Sequence, residues 1–364
     1  MLRVPGVGVV VAEPVTARTV LSKTAAFAKH GPGSSGALWT PVLGDRVLLN
    51  MDGPEHLALR RSLSDLFSTR AVADVCRQAA VPLVEDAVAG LRRGDECDVV
   101  VLARRVSAAV IGAVVGLEPG SNPDRLVAAN DAIESMVSWR TRELDAAQVD
   151  RARSVLQVVQ DATDAAHRAA RGDTVMGRLA LQGVSLADAR SLAAALFLTG
   201  TGTVSSAQPR IVGQLADAGL LAPGAPSFAT VDSLVTEGLR MTTPSPATLR
   251  RCVATTEVGG VTVRPDERVV VLLWWATRLE GGFDPTRTVP ADLRHLWFGA
   301  GSHFCLGAPL ALAELRLMTL ALLDVAAERG LVVTRRRAAR RVLVPRYAEL
   351  VVRAGAGRAE GVAA

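Results

Sequence analysis

The stretch that most constrains this chain is Trp297-Phe298-Gly299-Ala300-Gly301-Ser302-His303-Phe304-Cys305-Leu306-Gly307-Ala308-Pro309, a glycine-punctuated loop with one thiol near its end. The apolar-periodic segment 310–327 that follows reads as a helix and sets Cys305 at its N-terminus. Gly299 and Gly301 have no Cβ and let backbone N–H groups close on the sulfur, while the positive helix end favours a thiolate. A sulfur so placed can ligate iron. The cysteines, Cys76, Cys97, Cys252 and Cys305, lie far apart with no C-x-x-C pair, which argues against a disulfide framework and a structural zinc site and fits a reducing cytosol. A zinc site built from His295, His303 and Cys305 lacks a nearby fourth ligand.

The chain has 364 residues, enough core volume for a buried pocket, and no apolar run nears the roughly 20 residues of a membrane span. Neither a signal peptide nor an anchor is expected. The net charge of +5 comes from dispersed basic residues, so nucleic acid is not an expected partner. The dense run Arg335-Arg336-Arg337-Ala338-Ala339-Arg340-Arg341 reads as a solvated face, with docking of an acidic redox protein or carrier as the sharper alternative.

Upstream, residues 8–12 read as a strand, 16–28 as a helix, and the Gly/Ser-rich stretch 31–41 with Trp39 as a loop over a pocket. In Asn50-Met51-Asp52-Gly53-Pro54-Glu55-His56 the Asp-Gly-Pro turn starts a helix, on which His56 and Arg60 share a face and can reach one anion. Two helices over 71–117 flank a short strand at 97–100, and further helices run over 124–140 and 145–170. A long helix starts after the N-cap Ser185 and runs to about Leu215 through Thr199-Gly200-Thr201-Gly202-Thr203. Two mid-helix glycines cost about 1 kcal/mol each and, with their flanking hydroxyls, predict a locally opened turn. The helix 231–241 carries Glu237 and Arg240 on one face. Strands are expected over 244–255 and 257–263, with 269–275 a strand or short helix whose Trp274-Trp275 pair packs inside.

The spacing Phe298-Gly299-x-Gly301-x-His303-x-Cys305-x-Gly307 resembles the haem-binding loop of the cytochrome P450 family, and the other motifs follow in that family's order. The resemblance implies a mainly α fold with a small β region, a triangular helical prism holding haem between the long central helix and the Cys-loop helix. It implies one domain over 1–364, short at its N-terminus, with a frayed tail over 355–364. Cys305 would be the proximal thiolate, with Phe298, Gly299, Gly301 and Gly307 shaping its loop, and His303, His56, Arg60 and Arg250 binding the propionates. Thr199, Gly200, Gly202 and Thr203 would form the oxygen-binding segment, Glu237, Arg240 and Arg287 a structural triad, and 124–170 a lid. Trp39, Leu198, Pro246, Ala247 and Thr248 would line the substrate pocket.

The implied activity is a cytoplasmic, monomeric haem b monooxygenase of secondary metabolism. It would use dioxygen and electrons from an NAD(P)H-dependent donor through a ferredoxin or flavodoxin. Its substrate would be a medium-sized, largely apolar small molecule, free or carrier- or peptide-bound. Two departures stand out. Gly202 occupies the family's acid position, and three accounts compete: water fills the space, a substrate hydroxyl or carboxylate takes over from the acid, or the reaction is oxidative coupling or peroxide-driven. Leu312 stands where an arginine is usual, which removes a cation near the proximal face. A haem-binding ligand sensor without turnover is the alternative of another class.

Overall fold

The computed structural model describes residues 1–117, 123–137, 141, 143–224, 230–340, 342 and 344–355. The hairpin β1 (Leu2–Val4) and β2 (Gly8–Val11) leads into α1 (Pro14–Ser22), whose first turn is closed by the Glu13 carboxylate accepting from the N–H groups of Val15 and Thr16. The helix expected over 16–28 is therefore earlier and shorter, and Phe27–Ala28 is a strand, β3. Next come α2 (Gly36–Leu43), α3 (Gly53–Leu63), α4 (Thr69–Val75), a π-helical turn over Cys76–Ala80 and α5 (Val81–Arg93). Gly94 ends α5 in the left-handed conformation, and β4 (Glu96–Asp98) follows. The helices α6 (Val99–Val115), α7 (Pro123–Glu134), α8 (Ala146–Ala169) and α9 (Val175–Leu181) lead to the 32-residue α10 (Leu186–Asp217).

Beyond it lie α11 (Val231–Thr242), β5 (Thr248–Cys252), β6 (Thr256–Val258), β7 (Val261–Val263) and β8 (Arg268–Val271). The short α12 (Leu273–Ala276), α13 (Ala308–Arg329), β9 (Leu331–Ala338) and β10 (Tyr347–Ala354) complete the fold. One sheet has the order β1-β2-β8-β5-β3, with β2 and β8 parallel, and a second has the order β4-β10-β9. The segment 269–275 is thus a strand followed by a helical turn. Its tryptophans are not packed inside: Trp275 is 54% exposed and Trp274 38%, with the Arg278 guanidinium 3.9 Å from the Trp274 ring centroid. Residues 138–140, 225, 226, Arg341 and the tail from 356 lie outside the described residues. Among the described residues no helix is long and apolar enough to cross a membrane.

The helical core forms around α10, whose apolar positions pack against α6, α8 and α13. Gly200 permits the closest approach to α6, since a Cβ there would lie 2.5 Å from Ile111 Cδ1. The opened turn expected at the glycines does not form, and α10 is helical throughout. Its hydroxyls bond back along the helix instead, Thr199 to Ala195 O at 2.8 Å, Thr203 to Thr199 O at 2.9 Å and Thr201 to Phe197 O.

Where α6 meets α13, the Ser107 hydroxyl donates to Glu314 at 3.0 Å, and both residues are fully buried. Burial pushes the Glu314 carboxyl up to about 8, the Ser107 bond opposing it. Between its ordinary value of 4.5 and that point, the folded chain binds one proton more here than the unfolded chain, so stability falls as pH rises through this window. Glu314→Gln is expected to raise the thermal midpoint at pH 7.5 by about 2–5 °C and to leave it little changed at pH 5, as read by circular dichroism melts.

Candidate functional site

The loop before α13 is shaped by backbone geometry. His295, Gly299 and Gly301 have positive φ, and the Cys305 N–H donates to Phe298 O at 2.9 Å. At Gly301 a Cβ would stand 2.7 Å from Ser22 Cα and 2.9 Å from Leu21 O, so its bare backbone is what lets the loop pack on the end of α1. Gly299 and Gly301 therefore seat the loop, and the backbone N–H that reaches the sulfur is that of Gly307, the residue before α13. Burial pushes the half-buried Cys305 thiol up, while the Gly307 N–H, Arg60 and Lys29 pull it down. Burial outweighs the helix end, opposite to the expectation for the bare chain. Phe298 and Phe304 meet edge to face at 6.1 Å, covering the loop.

Beside the thiol the fold gathers basic side chains. His56 of α3 is 1% exposed and stacks on His303 with ring centroids 4.2 Å apart, and Arg250 of β5 is 3% exposed. Arg60 and Lys29 act electrostatically on Cys305. Asp52 is the carboxylate that binds this group together: it accepts from the Lys29 N–H at 2.7 Å and contacts His303 Nε2 at 2.6 Å and His30 Nδ1 at 2.7 Å. Burial alone would raise the Asp52 carboxyl, yet these bonds hold it well below the usual range. Burial, then the charge of Arg250, brings Lys29 down to about 7. Burial, then His303 and Arg60, brings His56 down to about 4, and burial brings Arg250 down to about 10. His56 Nδ1 and Arg250 Nε are buried without a hydrogen-bond partner among the described residues. The expected His56, Arg60, Arg250 and His303 are thus brought together, and Arg251 turns outward to Asp266. Lys29 and Asp52 were not legible as members. Lys29 arrives through a strand that the sequence presents as helix, and Asp52 looks like an ordinary N-cap but makes no cap bond.

On α10, Thr199 is exposed, Gly200 and Thr203 are half-buried, and Thr201 and Gly202 are buried. Thr199 and Thr203, four apart, share the open face; Gly202 offers nothing that titrates. Trp39 lies half-buried on α2, whose start is fastened to β5 by the Ser35 hydroxyl bonding Thr248 and the Leu249 N–H, and whose Pro41 carbonyl accepts from Arg153 of α8. Thr248 also accepts from Arg250 at 3.0 Å. Pro246 and Thr248 are half-buried, Ala247 is exposed and Leu198 is buried in the helical core. Glu237 and Arg240 form two bonds of 2.7 Å in full burial, and Arg240 also donates to the Thr277, Gly281 and Gly282 carbonyls. Arg287 is a looser third member, its Nε 3.7 Å from Glu237 with no hydrogen bond. The basic run is mostly paired, Arg335 with Glu96 and Glu349 and Arg336 with Asp217, as a solvated face would be. Among the described residues no group of three or more His, Cys, Asp or Glu could hold a metal ion.

A sequence profile described as Cytochrome P450 matches residues 228–324. Erythromycin C-12 hydroxylase of Saccharopolyspora erythraea is 30% identical over 322 residues, covering 82% of this chain and 77% of that protein. Mycinamicin IV hydroxylase/epoxidase of Micromonospora griseorubida is 29% identical over 291 residues, 74% of this chain and 70% of that protein. The solved structure of a mutant of P450 EryK in complex with erythromycin B superposes with a TM-score of 0.78 at 27% identity, over 99% of this chain and 94% of that one.

Because Asp52 is held below its ordinary value of 3.8, its contribution is present above that pH and lost as pH falls through the folded value. Asp52→Asn is expected to cost about 2 kcal/mol at pH 7, a difference that starts to narrow below about pH 4 and is smaller at pH 3, measured by urea denaturation at pH 7 and pH 3.

Proposed function

The chain belongs to the cytochrome P450 family, and from that premise we propose how its own residues carry the oxidation. It is a P450 monooxygenase that oxidises a small molecule with haem, dioxygen and electrons from an external donor. The residues beside the thiol fit haem. The buried, unpartnered His56 Nδ1 and Arg250 Nε, with Lys29, Arg60 and His303 around a single carboxylate, make a donor set suited to two more carboxylates. That observation carries the reading. Cys305 would hold the iron as thiolate, steadied by the Gly307 N–H, Arg60 and Lys29, and haem b is the form the site would take. Haem bound through a thiolate supplies O–O cleavage and an oxidant strong enough for unactivated carbon.

The remaining roles belong to side chains. Arg250, Arg60, His56, His303 and Lys29 would bind and orient the propionates, with Asp52 fixing the His303 ring. The Phe298 and Phe304 rings would keep water from the sulfur. Thr203 Oγ1 would turn from the Thr199 carbonyl to give its proton to oxygen in the pocket. With Gly202 beside it, that proton would be replenished by water reaching the open face at Thr199, or by a substrate hydroxyl or carboxylate. The substrate reading is a medium-sized, largely apolar molecule with a few polar anchors, met by Trp39, Pro246, Ala247 and Thr248, and secondary metabolism is the setting that the hydroxylase relatives support. Electrons would come from NAD(P)H through a ferredoxin or flavodoxin, to a cytoplasmic monomer. Gly202 favours one second reading, oxidation driven by peroxide.

The experiment compares turnover supported by a ferredoxin and its reductase with turnover supported by peroxide, for the wild type and Gly202→Asp. A water- or substrate-fed relay predicts that the wild type turns over on ferredoxin and that Gly202→Asp changes coupling by less than about threefold. Turnover on peroxide alone, with ferredoxin support appearing only in the variant, would establish the second reading instead.

A further inference from the structure

Trp297 belongs to neither the propionate cluster nor the oxygen-binding segment, yet it is built into the foot of the thiol loop. Its side chain is 5% exposed, and its indole N–H is buried without a hydrogen-bond partner among the described residues. The next residue, Phe298, accepts the Cys305 N–H through its carbonyl at 2.9 Å, so one hydrogen bond and a few covalent bonds join the indole to the thiol. The rings continue outward. Trp297 meets Phe298 with centroids 6.4 Å apart and His295 edge to face at 5.8 Å. His295 is half-buried and, with Phe298 and Phe304, lines a groove of about 380 Å³ that Thr69, Val72 and Leu312 also line. Arg316 at its edge is paired with Asp232 at 2.5 Å, and burial, then Arg294 and Arg18, favours the neutral form of His295.

Among the rings of this route the indole loses an electron most readily, and the chain's only tyrosine, Tyr347, lies away on β10. With no acceptor beside it, the indole nitrogen keeps its proton when the ring is oxidised, so one electron alone restores it. A neutral imidazole in the wall of an aromatic, apolar groove can take the proton of a bound hydroxyl. The volume suits a small organic molecule. We propose that this groove is a second active site, at which small phenols are oxidised one electron at a time by peroxide through Trp297. It rests on the reading of Cys305 as the haem thiolate. Peroxide takes two electrons and two protons and leaves as two waters; each electron is drawn from Trp297, which a phenol then restores. That phenol gives its electron to the indole and its O–H proton to His295, which passes the proton to solvent. Two phenols thus become two phenoxyl radicals for each peroxide reduced.

The haem-loaded protein, shown first to carry the thiolate-type Soret band with carbon monoxide, is mixed with hydrogen peroxide without other substrate and frozen for electron paramagnetic resonance. The wild type is expected to give a protein radical whose signal narrows with ring-deuterated tryptophan. The signal should be lost in Trp297→Phe and kept in Trp275→Phe, which replaces an exposed ring. In the oxidation of guaiacol at saturating peroxide, Trp297→Phe should lower kcat about tenfold. Thr69→Phe, from an exposed position in the groove, should raise the KM for guaiacol about threefold and leave the radical intact. If Trp297→Phe fails to load haem, Trp297→Tyr takes its place, and the tryptophan signal should give way to a tyrosyl one. A missing Soret band defeats the haem-thiolate reading itself. A band without a tryptophan radical, or a radical unchanged when Trp297 is replaced, overturns this proposal alone.

Discussion

The region around Cys305 depends on one balance, several basic side chains withdrawn from water beside one carboxylate among the described residues, Asp52. Burying Lys29, His56, Arg60, Arg250 and His303 costs free energy, which shows in the lowered proton affinity of every one of them, and neighbouring positive charge adds to it for Lys29, His56 and His303. Asp52 makes the arrangement tolerable by taking three of its contacts itself. A site tuned in this way binds further negative charge more readily than one whose cations are each already paired.

The rest of the fold can be read as the frame for that cluster. Its members come from segments distant in sequence: the end of β3, the start of α3, β5 and the loop before α13. The five-stranded sheet fixes β3 against β5 and so brings Lys29 toward Arg250. Gly301 lets the thiol loop rest on α1. The buried Glu237–Arg240 pair clamps the carbonyls of Thr277, Gly281 and Gly282, which steadies the segment that leads back to the loop. On the helical side α10 runs unbroken past Gly202, so the missing acid leaves its backbone ladder intact and removes a titrating group alone.

Much of this was legible in the chain. The thiol loop, the His56–Arg60 face, the Glu237–Arg240 pair and the Ser185 cap are short-range patterns, in which a few residues at fixed spacing carry the geometry. What stayed hidden depends on long-range packing. Phe27 and Ala28, just before Lys29, read as the end of a helix because their segment is periodic, yet pairing with β5 makes them a strand. Asp52 carries the signature of a cap, and only the arrival of His303 from 251 residues away gives its side chain better partners. The glycines at 200 and 202 suggested an opened turn by propensity. Close packing on Ile111 and hydroxyl back-bonding kept the helix closed. The thiol itself shifted against expectation, because burial is a property of the whole fold and the helix end a property of a few residues.

The central claim is that Cys305 holds haem iron as thiolate amid this cation cluster. The most direct test is the absorption spectrum of the haem-loaded protein, reduced and bound to carbon monoxide, for the wild type and Cys305→Ser. The account predicts a Soret band of the thiolate type in the wild type and its loss in the variant. A folded, haem-loaded wild type without that band, or a variant that keeps it, would contradict the account.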